Sequence, residues 1–193
     1  MSRLFDFLFG PARDTKPSTR REHRRFRLAN NADLTPEIIA SIEAHVRWVA
    51  HHLDSPAWEA RIYDVLVDNS VHKDSIGLCW SRDDHRGRPH SRRVWVDARL
   101  GRWDETETLI HELSHAFTTA SESHGPLFRK IYIVAYTLYT NADNREVRAE
   151  VRSHLSRYQD RNRQKQQFEE DQLVALVEQV RPVADAERAR RVS

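Results

Sequence analysis

A chain of 193 residues, 39% hydrophobic and 31% charged, supports one globular domain with length left over for arms. A net charge of +2 does not by itself call for nucleic acid, and a single cysteine excludes both an intrachain disulfide framework and a four-thiolate zinc ribbon. No apolar run approaches the ~20 residues that span a bilayer, and residues 1–9 are too short and interrupted for a signal-peptide core, so the expected location is cytoplasmic with no membrane partner.

Residues 1–27 read as a flexible basic arm: an apolar patch of Leu4, Phe5, Leu8 and Phe9 at helical spacing, then Gly10-Pro11, then a cationic stretch. Thr35-Pro36-Glu37 opens the first helix, with Thr35 as N-cap and Pro36 at the first helical position. Ile38, Ile39, Ile42, Val46 and Val49 form its apolar stripe. Three strands follow, over Arg61–Asp68, Ile76–Trp80 and Arg93–Ala98, each enriched in β-branched or aromatic residues. Cys79, inside the second, is expected to pack as a small hydrophobe. The polar run from Ser81 to Ser91 reads as a long hairpin loop. His85 and His90 within it, and His45, His51 and His52 around the first helix, have no spaced partner motif and are expected on the surface or at a boundary.

The next helix is predicted to begin near Asp104, which with Glu107 resembles a capping box. Leu109, Ile110, Leu113, Ala116, Phe117 and Ala120 supply its buried face. Gly125-Pro126 starts another apolar helix containing Phe128, Ile131, Tyr132, Ala135 and Leu138. From Asn144 a charged helix carries only the thin stripe Val147, Val151, Leu155 and Tyr158. A last short helix around Leu173, Leu176, Val177 and Val180 is expected to stop at Pro182. The expected organisation is a basic arm (1–27), a domain over 28–143, a helical extension over 144–182 and a disordered tail over 183–193. The fold class is α+β, with a small three-stranded sheet packed on an active-site helix and additional helices around it.

His111-Glu112-Leu113-Ser114-His115 is an H-E-x-x-H motif placed mid-helix by the surrounding apolar stripe. Residues four apart lie one above the other on a helix, so both imidazoles can address one cation. Glu112 then borders the metal's open position rather than filling it. Catalytic zinc takes three protein ligands, and the third is expected soon after the helix turns back. His124 is the favoured candidate because zinc suits imidazole; Glu122, Asp143 and Glu146 compete with it. Asp97 and Asp104 are candidate acceptors for the imidazole N–H groups.

His111-Glu112-Leu113-Ser114-His115 followed by His124-Gly125-Pro126-Leu127-Phe128 resembles the SprT-like and Spartan metallopeptidases, whose motif is H-E-x-x-H and then a His-Gly-Pro-x-Phe segment. Small actinobacterial and phage metallopeptidases share that pattern. The resemblance covers about residues 93–136 and implies a zincin-like fold. It also implies zinc bound by His111, His115 and His124, with Glu112 as the catalytic base.

The expected function is therefore a zinc-dependent metallopeptidase that hydrolyses peptide bonds with a zinc-bound water activated by Glu112, holding one Zn2+ per chain. Its partner is a protein or peptide substrate, either a dedicated one or one associated with nucleic acid. The cationic segments 13–27 and 145–165 suit phosphate, so DNA is a second partner class. A strand at the cleft edge, expected at Arg93–Ala98, would align an extended substrate. Tyr132 and Tyr136 are the candidate oxyanion donors. The competing function is a non-catalytic, zinc-stabilised module that binds nucleic acid or protein.

Overall fold

Apolar residues of two predicted strands meet in register: Val65 lies opposite Val94 and Val67 opposite Val96, all four fully buried. They form the centre of a four-stranded sheet in the computed structural model, which describes residues 26–70, 72, 75–83, 89–119, 121–158 and 163–192. The strands are β1 (Phe26–Leu28), β2 (Arg61–Asp68), β3 (Gly77–Asp83) and β4 (Pro89–Asp97), in the order β1-β2-β4-β3. β1, β2 and β4 run parallel, and β3 is antiparallel to β4. Five helices accompany them among the described residues: α1 (Pro36–His52), α2 (Arg102–Ala116), α3 (Pro126–Thr140), α4 (Asn144–Tyr158) and α5 (Arg163–Val192). The class is α+β, with four strands where the sequence predicts three.

The added strand is β1, whose Phe26 and Arg27 the sequence assigns to the arm. Three residues are too few to show a period of two, so only the pairing with Val65–Val67 reveals the strand. The hairpin link is also shorter than expected. Arg82 pairs with Ser91 and Asp83 with Pro89, because a backbone ladder can continue through a polar, turn-rich stretch that no side-chain pattern announces. β4 lies between β2 and β3, so both of its edges are used; the sheet edge beside the helices is β3. The apolar patch Leu4, Phe5, Leu8 and Phe9, together with His85 and Ala120, lies outside the described residues.

α1 starts as predicted: Thr35 Oγ1 accepts the Ile38 N–H at 3.3 Å, and Pro36 occupies the first turn. Ile39, Ile42, Val46 and Val49 are fully buried between α2 and α3. α2 begins earlier than the predicted Asp104 cap. Gly101, at φ 82°, follows the short turn after β4, leads the chain into the helix and supplies no side-chain cap. Asp104 instead sits exposed in the first turn, where a carboxylate favours the helix dipole. The buried carboxylate of that turn is Glu105, which accepts the Asp33 N–H at 3.1 Å.

α2 packs on β3 and β4 and against α1 and α3, so the motif helix is central. α5 packs on α3 and α4 and runs through Pro182, where the sequence predicts a stop. A proline inside a helix costs about 3 kcal/mol, but Val180 and Ala184 on either side of it are buried, and Arg181 donates to the Ala142 carbonyl at 2.6 Å. Tertiary packing holds the helix across the break. No helix among the described residues is long and apolar enough to cross a membrane.

Candidate metal centre

Three histidines from two chain segments converge. His111 and His115 lie one helical turn apart on α2, and His124 follows on the loop before α3. His124 Nε2 is 3.2 Å from His111 Nε2 and 3.2 Å from His115 Nε2. One ligand atom from each residue falls within 4.8 Å of the other two. Tetrahedral zinc with ~2.0–2.1 Å bonds spaces its nitrogens about 3.3 Å apart, so the donor set and its spacing both fit zinc. Burial, then the Arg129 guanidinium, holds His124 below the usual histidine range. A ligand must be neutral to offer its lone pair, so this shift favours metal binding.

Phe128 explains why the motif segment carries an aromatic residue four positions after His124. Its ring stacks on His115 with centroids 4.1 Å apart and meets the rings of His111 and His124 at 5.0 and 4.9 Å. Fully buried itself, it restricts all three imidazoles at once. Gly125 has an ordinary φ of −67°, so no left-handed turn requires it. A Cβ there would sit 2.8 Å from the Glu122 carbonyl oxygen, and close approach requires the glycine. Among the described residues of this loop, Ser123 takes the left-handed conformation, at φ 48°.

The competing third ligands are engaged elsewhere. Glu122 Oε1 accepts the Leu127 N–H at 2.8 Å and caps α3. Asp143 and Glu146 form a reciprocal cap on α4: Asp143 Oδ1 accepts the Glu146 N–H at 2.9 Å, and Glu146 Oε2 accepts the Asp143 N–H at 2.8 Å. Of the candidate acceptors for the imidazoles, Asp97 is committed to Arg99, whose Nε donates to Asp97 Oδ1 at 2.7 Å, and Asp104 is exposed two turns before His111. Neither supports a ligand.

Glu112 is 7% exposed, and burial pushes its carboxyl up to about 8. It lies against the β3 backbone, for a Cβ on Gly77 would fall 2.7 Å from Glu112 Oε1. Nothing local in the sequence marks Gly77, because the neighbours that a Cβ there would meet, Thr108 and Glu112, are 31 and 35 residues away. The three histidines and Glu112 open into a cavity of about 550 Å³, within the size range of ligand pockets. β3 forms one wall through Gly77, Leu78 and Cys79, and Glu107, Tyr132 and Glu150 form another. The Tyr132 hydroxyl donates to Glu150 Oε1 at 2.9 Å. Burial, followed by Glu150, raises its pKa. Tyr136 stacks against Tyr132 with centroids 5.9 Å apart and is not among the lining residues.

Part of the second cationic segment is compensated internally. Arg152 Nε donates to Glu170 at 2.8 Å, and Arg148 Nη1 lies 3.1 Å from Glu170 and 2.9 Å from Asp171, joining α4 to α5. Those two guanidinium groups bind carboxylates of the same chain.

Cys79 is half-buried in the cavity wall, and desolvation, followed by the Glu112 charge, pushes its thiol up to about 12. The reactive species is the thiolate. Alkylation of the native chain at pH 8 is therefore expected to be on the order of 10³-fold slower than that of the unfolded chain. The rate should rise about tenfold per pH unit above that. Equal native and unfolded rates, read by mass spectrometry, would contradict this environment for Cys79.

No family model matches the chain, and neither a curated protein nor a solved structure matches it.

Proposed function

We propose that the chain is a zinc-dependent metallopeptidase of zincin-like type, a relative of the SprT-like and Spartan enzymes. His111, His115 and His124 hold the ion and Glu112 acts as general base. The observation that carries this proposal is the convergence of three Nε2 atoms in a cavity that also contains a buried carboxylate which is not part of the tripod. A purely structural zinc site closes its fourth position with another protein ligand, whereas among the described residues the cluster consists of three imidazoles lining a cavity.

A zinc ion on these nitrogens supplies Lewis-acid polarisation of a carbonyl and lowers the pKa of water to about 7. The chain's own groups do the rest. Glu112 takes a proton from the attacking water as its oxygen bonds to the carbonyl carbon, then delivers that proton to the amide nitrogen as the C–N bond breaks. An extended peptide pairs with the outer edge of β3, which carries Gly77, Leu78, Cys79 and Ser81 along the cavity, and so presents its backbone to Glu112. Of the two candidate tyrosines, Tyr132 is the one at the cavity; its single hydroxyl proton is directed at Glu150 and turns from that carboxylate to serve a developing oxyanion. With Arg148 and Arg152 committed to α5, a protein or peptide substrate is the better-supported partner than DNA.

The test is metal removal. The purified chain is expected to contain about one zinc, to cleave an unfolded protein such as casein, to lose cleavage on exhaustive chelation and to regain it with zinc. Cleavage that persists in metal-depleted protein would overturn the proposal. A zinc-loaded chain that cleaves nothing would instead favour the non-catalytic zinc-stabilised module.

A further inference from the structure

Two of the three ligands ride on a helix, but the third does not. His111 and His115 are held in place by α2, whereas His124 ends a loop that leaves the helix after Ala116. Hydrogen bonds to backbone carbonyls pin this loop. Ser55 Oγ donates to the Phe117 carbonyl, and Arg92 Nη2 donates to that of Thr118 at 3.4 Å. Arg129 Nη1 donates to the carbonyl of His124 itself. Arg129 is thus the side chain that grips the third ligand's own peptide.

Arg129 is in turn oriented from a distance. It is 7% exposed on α3, and its Nε donates to the carboxylate of Glu169 on α5. A guanidinium is a rigid planar fork. With one edge on a carboxylate and the other on a carbonyl, its position sets where that carbonyl lies. The chain of contacts runs from Glu169 through Arg129 to the backbone of His124, a span of 45 residues in sequence.

We propose that Arg129 is a positioning residue for the third metal ligand and that Glu169 makes helix α5 part of the metal centre. This rests on the metal assignment above. The C-terminal helix then does more than cover the core: it holds the third ligand in register with the two on α2. Outer contacts of this kind typically change metal affinity by about 10–100-fold.

Zinc affinity of the full chain, measured by competition with a chelating dye, tests this together with the visible spectrum of the Co2+ form and the melting of the metal-free protein. Arg129→Gln and Glu169→Gln are each expected to weaken zinc by about 10–100-fold and to change the Co2+ bands, which report ligand geometry. Arg129→Lys should not restore affinity, since one ammonium cannot reproduce the fork. Glu170→Gln is the control: it lies on the same helix but pairs with Arg148 and Arg152. It should lower the melting temperature while keeping zinc affinity within about twofold. In a His124→Ala background, Arg129→Gln should cost no more than about twofold, because its route to the metal is gone. Should Arg129→Gln not fold, Glu169→Gln decides alone.

Wild-type affinity in the Arg129 and Glu169 variants would overturn the inference while leaving the metal assignment intact. The same loss with and without His124 would also overturn it. A wild-type chain that binds no zinc would overturn both.

Discussion

Glu112→Gln is expected to leave the zinc content of the chain unchanged and to lower kcat by about 10²–10⁴-fold, the typical contribution of a general base. The substitution keeps shape and volume, so the close fit against Gly77 survives, while the side chain loses its ability to take a proton. Glu112 is not one of the three converging ligands, so zinc has no reason to leave. Metal analysis beside a cleavage assay reads both outcomes. Undiminished cleavage would remove Glu112 from the role of base, and loss of zinc would make it a ligand.

The same variant carries a pH signature in the metal-free chain. Burial raises the folded-state value to about 8 from an ordinary 4.5. Between those values the folded chain keeps a proton that the unfolded chain has released. The contribution of Glu112 to stability is therefore fully present below pH 4.5, is lost as pH rises, and levels off above about 8. Glutamine does not titrate, so metal-free Glu112→Gln should gain on wild type across that window. Parallel denaturation curves at low and high pH would contradict the burial argument.

His111→Ala and His115→Ala are each expected to reduce bound zinc below about 0.1 per chain after dialysis, with cleavage lost alongside it. A tripod reduced to two imidazoles loses the closed donor set, and no described carboxylate outside it joins the cluster. Glu122 caps α3 and Asp143 caps α4, so neither is placed to substitute. His72→Ala is the control, since that ring packs on Trp95, its centroid 4.5 Å away, and is not in the histidine cluster found among the described residues. It should retain about one zinc per chain. Full zinc content in the His111 and His115 variants would remove this site.

Elements whose signals are local were legible from residue order. The Thr35 cap, Pro36 in the first turn and the stripe through Val49 placed α1, because capping and helical periodicity involve residues within a few positions of one another. His111 and His115 were legible for the same reason, as four-residue spacing puts two side chains on one helix face. His124 was a preference among four candidates, and the spacing of its nitrogen from the other two singles it out. The sequence does not show β1 because three residues carry no period, and it ends α5 at Pro182 because the contacts that bury Val180 and Ala184 and hold Arg181 there come from other elements.

The sequence by itself determined the fold class, the helix that carries the motif and the two histidines one turn apart, since each depends on interactions along the chain. Tertiary structure decided the rest. It made β3 rather than β4 the edge beside the cavity, and brought Gly77 against Glu112. It also set Phe128 beneath all three imidazoles and joined His124 to Glu169 through Arg129. Those contacts link residues that are distant in sequence or meet through a loop, and only the folded packing creates them.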